Sequence, residues 1–158
     1  LTEPLWESLR AGMRSLQGSN ATLETYFNIN PIKNNGYFIW EGVKFRLVQT
    51  IHVVDEFAFM PSYGLIFEIN GKTIFITTDT QFCPHQIKDY YKFTDIILHD
   101  CETSPFRSGV HAHYDDMKTL SDDVKAKMWL YHYQPGKLPN AEEDGFLGFL
   151  KRGQVLTF

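Results

Sequence analysis

Residues that can bind a metal or carry a proton recur at the ends of short apolar segments in this sequence. His52, Asp79, the pair His99-Asp100 and His132 each follow a run of residues typical of a buried strand. Strand ends along one edge of a sheet are where α/β proteins place their binding crevices. Histidine and aspartate are also ligands that suit zinc and neighbouring first-row metals. The pattern therefore predicts a metal site at one edge of a sheet.

A second group of such residues lies in the segment G-V-H-A-H-Y-D-D, residues 109–116. His111 and His113 are two residues apart, so in an extended loop their side chains point in the same direction. Asp115 and Asp116 either belong to a metal-binding loop or cap the helix that is predicted to follow. Both alternatives are open at this point.

Length, composition and charge restrict the class of protein. The chain has 158 residues, of which 43% are hydrophobic, enough for one compact domain over residues 1–158. Its formal net charge of −4 gives no basic footprint for nucleic acid or an anionic membrane. Cys83 and Cys101 are too few for a disulfide scaffold, which favours a cytoplasmic setting. No stretch approaches the roughly 20 apolar residues that span a bilayer.

The predicted secondary structure changes character along the chain. A helix over 4–16 and an irregular segment to residue 35 precede strands at 37–40, 43–50, 64–69 and 73–77. Glu41-Gly42 and Asn70-Gly71 predict tight hairpin turns between neighbouring strands. The remaining predictions alternate: helix 84–91, strand 95–98, a two-piece helix over 115–127, strand 128–131, helix 142–150 and strand 154–158. Hairpins followed by β-α-β units predict an α/β fold with a mixed sheet and flanking helices.

In the order of these motifs the chain resembles the metallo-β-lactamase-fold hydrolases, and most closely their tRNase Z-like and cyclic-nucleotide phosphodiesterase-like branches. Thr78-Asp79-Thr80 matches the T/G-D-T tripeptide whose aspartate bridges two metals in that superfamily. The segment 130–134 matches the phrase around a later histidine ligand, here His132, and His52 ahead of Ser62-Tyr63-Gly64 matches an earlier one. The resemblance runs from about Val43 onward. It implies the C-terminal half of an αββα sandwich, with His52, Asp79 and His132 as metal ligands.

The same resemblance implies catalytic residues. The segment 97–101 is similar to the strand end l-i-H-E-A-T of the tRNase Z-like branch, and 111–114 is similar to its H-S-T loop, which carries a catalytic histidine. By local alignment His113 occupies the catalytic position, with His111 as the alternative. Asp100 is then expected to orient one of these histidines or the attacking water.

One departure from the superfamily concerns its principal metal motif, H-x-H-x-D-H, which is absent from this sequence. Residues 111–116 read H-x-H-x-D-D, and they follow Asp79 rather than precede it. We therefore expect the chain to correspond to the C-terminal half alone and to bind metal poorly in isolation. The alternative is that residues 111–116 are themselves the principal motif.

The resemblance implies a metal-dependent hydrolase. Two divalent metals, zinc or else manganese or iron, would hold a hydroxide that attacks a phosphodiester, while His113 or His111 protonates the leaving oxygen. A small nucleotide is the favoured substrate over an RNA end, because the lysines and arginines are scattered along the sequence. The fold family also suggests a homodimer. The alternatives are a hydrolase of β-lactams, thioesters or lactones and, in a different class, a degenerate domain that binds a partner without catalysis.

Overall fold

The computed structural model describes residues 2–54, 56 and 59–157. The chain divides into two compact units, Leu1–Lys33 and Asn34–Phe158. The single domain expected over residues 1–158 stays a prediction. No helix among the described residues is long and apolar enough to cross a lipid bilayer.

The first unit contains two helices and a small hairpin. Its elements are α1 (Thr2–Met13), β1 (Ser15–Leu16), β2 (Ser19–Asn20) and α2 (Leu23–Tyr26). The first helix was expected to run to residue 16. It ends at Met13 because Gln17 and Gly18 adopt positive φ angles of 48° and 82°, which turn β1 back to pair with β2.

The second unit is a seven-stranded mixed sheet with flanking helices, which confirms the predicted fold class. Its strands, in sheet order, are β3 (Tyr37–Trp40), β4 (Val43–Val54), β5 (Phe59–Ile69), β6 (Lys72–Ile76), β7 (Ile96–Asp100), β8 (Met128–Tyr131) and β9 (Gly148–Phe149). Its helices are α3 (Pro84–Phe93), α4 (Tyr114–Met117) and α5 (Asp122–Lys125). The pairs from β3 to β6 are antiparallel, and those from β6 to β9 are parallel.

Two tight turns set the register of the antiparallel half. Glu41 and Gly42 have φ angles of 50° and 78°, and Asn70 and Gly71 have φ angles of 51° and 74°. Positive φ at both central residues is the geometry of the two-residue hairpin turn whose twist matches that of the strands. Both hairpins predicted from the sequence are therefore present.

The core of the second unit includes side chains from several strands and from α3. Phe75, Ile97 and Met128 are fully buried, and α3 adds Ile87 and Tyr91 to the same apolar cluster. Full burial of a large apolar side chain contributes about 1.5–3 kcal/mol. These contacts hold β6, β7 and β8 side by side, so the residues at their carboxyl ends meet at one edge of the sheet.

Three predicted elements after residue 114 differ from the structure. The helix predicted over 142–150 is wrong, because Gly145 and Gly148 have φ angles of 93° and 130° and Gly148–Phe149 pairs with β8 as a strand. The helix predicted over 115–127 is reduced to α4 and α5, with one turn each. The strand predicted over 154–158 is not formed by residues 154–157, where Gln154 instead closes a turn with Lys151; Phe158 lies outside the described residues.

Candidate functional site

The carboxyl ends of three parallel strands bring together the residues that could do chemistry. Asp79 follows β6, Asp100 is the last residue of β7 and His132 follows β8. The register pairs Ile76 with Leu98 and Asp100 with Tyr131. Because adjacent parallel strands end at the same edge of the sheet, these three side chains lie together, as the sequence predicted.

His52 reaches this edge through a β-bulge. The strand predicted to stop at residue 50 continues to Val54, and its pairing with β5 shifts between Ile51 and Val53, which leaves His52 unpaired in the ladder. A bulge of this kind redirects a side chain. The segment that follows Asp79 is tied to the bulge, because the N–H of Gln81 donates to the carbonyl of Ile51 and its Nε2 donates to the carbonyl of His52, each at 2.7 Å.

The three predicted metal ligands are neighbours, because His52 and His132 both lie close to the Asp79 carboxylate. Its Oδ2 is 4.0 Å from Nε2 of His52, and its Oδ1 is 3.8 Å from Nδ1 of His132. Both separations exceed the range of a hydrogen bond, and the carboxylate is about half exposed. Each oxygen of Asp79 therefore faces a different histidine across an accessible gap.

The backbone is strained at two positions beside these ligands. Thr78 and His132 have φ angles of 54° and 67°, in the left-handed region that costs a non-glycine residue about 1–3 kcal/mol. The Thr78 hydroxyl is held at 2.8 Å from the Ser62 hydroxyl on β5. This contact with β5 helps to hold the turn that carries Asp79.

Asp100 is a buried carboxylate shared by two histidines. Its Oδ2 accepts hydrogen bonds from the N–H of Thr80 at 2.8 Å and from Nδ1 of His111 at 2.7 Å, and its Oδ1 accepts from Nδ1 of His132 at 3.0 Å. An ionised carboxylate can only accept, so both rings carry their proton on Nδ1. The Nε2 lone pairs of His111 and His132 are then available to a ligand.

His52 is held in the same tautomer by a different acceptor. Its Nδ1 donates to the carbonyl of Val110 at 2.9 Å, which leaves a lone pair on Nε2, the atom that faces Asp79. Its ring centroid lies 5.1 Å from that of His111, and His111 lies 4.5 Å from His132. Anchoring one ring nitrogen on a carbonyl or carboxylate is how proteins orient metal-ligating histidines.

His113 occupies a different position from His111. Its Nδ1 accepts a hydrogen bond from the N–H of Asp115 at 3.2 Å and caps α4, so its Nε2 donates to the carbonyl of Ser104 at 2.9 Å. Both ring nitrogens are thus engaged by the backbone. The geometry favours His111 over His113 as the residue that can exchange a proton with a ligand.

The two carboxylates that follow His113 are engaged at the surface. Asp115 pairs with Lys118 at 2.8 Å, and Asp116 pairs with Arg107. The alternative in which residues 111–116 form the principal metal motif gains no support from these contacts, because His111 turns to Asp100 while the other members belong to the helix cap and to surface ion pairs.

His99 illustrates how strand alternation separates neighbouring residues. It is fully buried, with Nδ1 at 2.6 Å from the carbonyl of Asp100 and Nε2 at 2.6 Å from the hydroxyl of Tyr91 on α3. Burial lowers the pKa of His99 to about 4. His99 is therefore a neutral residue of the helix-covered face, while the Asp100 side chain points to the opposite face.

The donor set fits a divalent metal. Among the described residues, ligand atoms of Asp100, His111 and His132 lie within 4.8 Å of one another, and the side chains of His52 and Asp79 adjoin this group. Imidazole nitrogens and carboxylate oxygens are the donors preferred by zinc, manganese and iron. His132 belongs to both the predicted ligand set and the tighter cluster around Asp100.

A cavity of about 300 Å³ opens beside the cluster. Its lining residues, contributed by the segment after Asp79 and by the loop before α4, are Gln81, Phe82, Arg107, Gly109, His111, His113 and Asp116. A small molecule in this cavity would contact His111 directly. The cavity combines the Arg107–Asp116 ion pair, an aromatic ring and two imidazoles.

Sequence reasoning missed two contacts that organise the site. Asp100 was expected to orient a histidine of the 111–113 segment or a water, but its bond to His132 was not anticipated. The carbonyl of Val110, which holds His52, was also not anticipated, because a backbone acceptor leaves no signal in the identity of its residue.

The sequence of the chain is similar to those of two named proteins. It is 31% identical over 139 residues to "Anti-Pycsar protein Apyc1" of Paenibacillus harenae, covering 84% of this chain and 52% of that protein. It is 27% identical over 137 residues to "cGMP-dependent 3',5'-cGMP phosphodiesterase A" of Dictyostelium discoideum, covering 77% of this chain and 15% of that protein. The chain thus spans about half, or less, of the length of these curated relatives.

A solved structure shares the fold. The metallo-β-lactamase-fold protein YhfI of Bacillus subtilis superposes with a TM-score of 0.65, covers 86% of this chain and 58% of its own, and is 16% identical in sequence. The resemblance to metallo-β-lactamase-fold proteins is confirmed at the level of fold, whereas the closer resemblance to the tRNase Z-like branch stays a prediction. Residues 1–156 match the family model described as "Anti-Pycsar protein Apyc1". This chain therefore belongs to the anti-Pycsar protein Apyc1 family.

Proposed function

We propose that this chain supplies part of the active site of a metal-dependent phosphodiesterase that hydrolyses a cyclic nucleotide. The observation that carries the proposal is the Asp79 carboxylate lying between His52 and His132, with both rings tethered through Nδ1. Family membership and the similarity to a protein named as a 3',5'-cGMP phosphodiesterase support the choice of substrate.

In this proposal His52, Asp79 and His132 are the metal ligands that the chain contributes. The two histidines would bind through Nε2, since Nδ1 of each donates to a protein oxygen. Two divalent ions, of zinc, manganese or iron, would supply Lewis-acid chemistry, which lowers the pKa of coordinated water and neutralises developing negative charge. Asp100 keeps the His132 ring in the tautomer that such binding requires.

The protein must also deliver a proton to the oxygen that leaves. Hydrolysis of a cyclic phosphodiester forms a bond between phosphorus and a water oxygen and breaks the bond between phosphorus and one ester oxygen, which becomes a hydroxyl of the linear nucleotide. His111 would carry the proton on Nε2, while the Asp100 carboxylate holds Nδ1 and complements the charge of the protonated ring. General-acid catalysis of this kind contributes about 10²- to 10⁴-fold to the rate.

The cavity beside His111 is the proposed binding place for the nucleotide. A cyclic phosphodiester carries one negative charge, and Arg107 lines this cavity together with Asp116, its ion-pair partner; in the proposal the phosphodiester competes with Asp116 for the guanidinium. Phe82 offers a flat apolar surface on which a base can stack. The negative net charge of the chain is compatible with this substrate, because the proposed metals supply the local positive potential.

Hydrolysis assays on the complete native protein test the proposal. We expect release of the linear nucleotide from 3',5'-cGMP, and of p-nitrophenol from bis(p-nitrophenyl) phosphate, with zinc, manganese or iron. Asp79→Asn should abolish both activities, whereas Asp89→Asn, at an exposed site on α3, should leave them intact. Turnover of acyl substrates alone would support a β-lactam, thioester or lactone hydrolase. Absence of metal by elemental analysis would support the non-catalytic alternative.

A further inference from the structure

Glu102 is a buried acid that the proposed mechanism does not use. It is 3% exposed and lies two residues after Asp100. Its carboxylate accepts hydrogen bonds from the N–H of Ser108 at 3.0 and 3.1 Å and from the Ser108 hydroxyl at 2.9 Å. Within the described part of the chain no ion pair contains Glu102. Burial of a carboxylate costs free energy unless hydrogen bonds compensate, so the contacts with Ser108 stabilise the buried Glu102 side chain.

The backbone of Glu102 closes the loop that Ser108 belongs to. Its N–H donates to the carbonyl of Ala112 at 2.7 Å, and its carbonyl accepts from the N–H of Tyr114 at 2.9 Å. The loop from 103 to 112 is thus closed at its base by the backbone of Glu102 and held at its middle by the side chain of the same residue.

A series of hydrogen bonds leads from Glu102, through Ser108 and Val110, to His52 at the sheet edge of the candidate site. The Ser108 hydroxyl donates to Glu102 and accepts from the N–H of Val110 at 3.3 Å. The carbonyl of Val110 then accepts from Nδ1 of His52 at 2.9 Å. The next residue, His111, donates from Nδ1 to Asp100. One loop therefore presents both the acceptor that sets the tautomer of His52 and the imidazole proposed to carry the proton.

We propose that Glu102, through Ser108, is a positioning residue for His52 and His111. With the Glu102–Ser108 contact intact, the Val110 carbonyl keeps the proton of His52 on Nδ1 and leaves Nε2 for a metal. Loss of the contact releases the middle of the loop, so that His52 samples both tautomers and His111 moves relative to Asp100. The consequence for catalysis rests on the proposed function, whereas the consequence for the His52 tautomer does not.

The tautomer is measured directly by long-range ¹H–¹⁵N NMR of the histidine rings in the metal-free native protein. The spectra are recorded well above the usual histidine pKa of about 6.5, where the rings are neutral. The wild type should show His52 in the Nδ1–H form. Ser108→Ala removes only the hydroxyl and should give a mixture of tautomers, as should Glu102→Ala. Ser108→Thr keeps a hydroxyl and should restore the wild-type spectrum, and Glu68→Ala on β5, exposed in the structure, is the matched control for Glu102→Ala.

An unchanged His52 ring spectrum in Ser108→Ala would overturn the proposal, even if Glu102→Ala fails to fold. A mixture that appears equally in Ser108→Thr would also overturn it, because the hydroxyl would then not be the connecting group.

A double-mutant cycle tests the catalytic consequence. Ser108→Ala should lower kcat by about 10-fold or more, as substitutions behind metal-bound histidines do, with a smaller change in KM. In a His111→Ala background the same substitution should cost a clearly smaller factor, because residues that act together are not additive. If Ser108→Ala lowers kcat by the same factor in both backgrounds, the proposed role of Ser108 in positioning His111 is wrong. If the wild-type protein hydrolyses no phosphodiester, the proposed function fails, and the tautomer measurement still decides the positioning role.

Discussion

Asp100 and His132 are 32 residues apart in the sequence, yet Oδ1 of Asp100 accepts a hydrogen bond from Nδ1 of His132 at 3.0 Å. The contact exists because β7 and β8 are neighbouring parallel strands that end at the same edge. The other carboxylate oxygen of Asp100 accepts from His111. A single buried carboxylate therefore orients a proposed metal ligand and a proposed proton donor.

Replacement of Asp100 by asparagine should distinguish the role of Asp100 in orienting the two histidines from its role in packing. An amide has the same shape but one acceptor oxygen and an NH₂ donor, so it cannot accept from both Nδ1 atoms. We expect metal affinity to fall by roughly 10- to 100-fold, measured by competition with a chromophoric chelator. Asp122→Asn, at a side chain that is 97% exposed, is the matched control. Unchanged affinity in a folded Asp100→Asn protein would show that Asp100 does not orient a ligand.

The two histidines of the loop should respond differently to replacement by alanine. His111→Ala removes the proposed proton donor and should lower turnover by roughly 10²- to 10⁴-fold, with little effect on unfolding. His113→Ala removes the cap of α4 and should lower the free energy of unfolding by about 1 kcal/mol, with a smaller effect on turnover. Steady-state kinetics and urea unfolding of both variants make the comparison. A larger loss of turnover in His113→Ala than in His111→Ala would identify His113 as the proton donor.

Stability should decrease in mild acid because of His99. Burial lowers its pKa in the folded protein to about 4, below the unfolded value of about 6.5. Between these values the unfolded chain binds more protons, so stability falls as the pH falls from about 6.5 toward 4 and is unaffected by His99 at higher pH. The difference in pKa corresponds to roughly 3 kcal/mol.

Urea unfolding at a series of pH values checks this effect. His99→Gln removes the titrating ring and should give a shallower decrease in the free energy of unfolding across the same interval, whatever its stability at neutral pH. Parallel curves for the wild type and the variant would mean that other groups cause the loss of stability in acid.

Gly64 should tolerate no side chain. A Cβ there would lie 2.7 Å from the carbonyl oxygen of Ile76 and 2.8 Å from Cε2 of Phe75, on the strand that leads to Asp79. Gly64→Ala should lower the free energy of unfolding by about 1–3 kcal/mol, measured by urea unfolding. Gly12→Ala, in α1 and with no atom within 4 Å of the added carbon, should instead stabilise its helix by about 0.5–1 kcal/mol. Equal effects at the two positions would contradict the close packing seen around Gly64.

The sequence by itself determined the local features of this protein. The turn at Asn70-Gly71 was predictable because Asn and Gly tolerate the positive φ angles of both central positions. At Glu41-Gly42 only Gly42 provides this signal. The strand over 128–131 was predictable because it is a short run of large apolar residues. The same reasoning failed for the helix over 142–150, since the glycine conformations and the pairing of Gly148–Phe149 with β8 depend on a distant strand.

The types of residue at the candidate site were also evident in the sequence, because His52, Asp79, Asp100 and His132 come after apolar runs. Only the tertiary structure decided which of their atoms face one another. The bulge that redirects His52, the carboxylate that Asp100 shares between two histidines and the hydrogen bonds that lead from Glu102 to Val110 all join groups brought together by strand register and loop closure. Such contacts are set by the packing of the whole sheet, and no local pattern of residues encodes them.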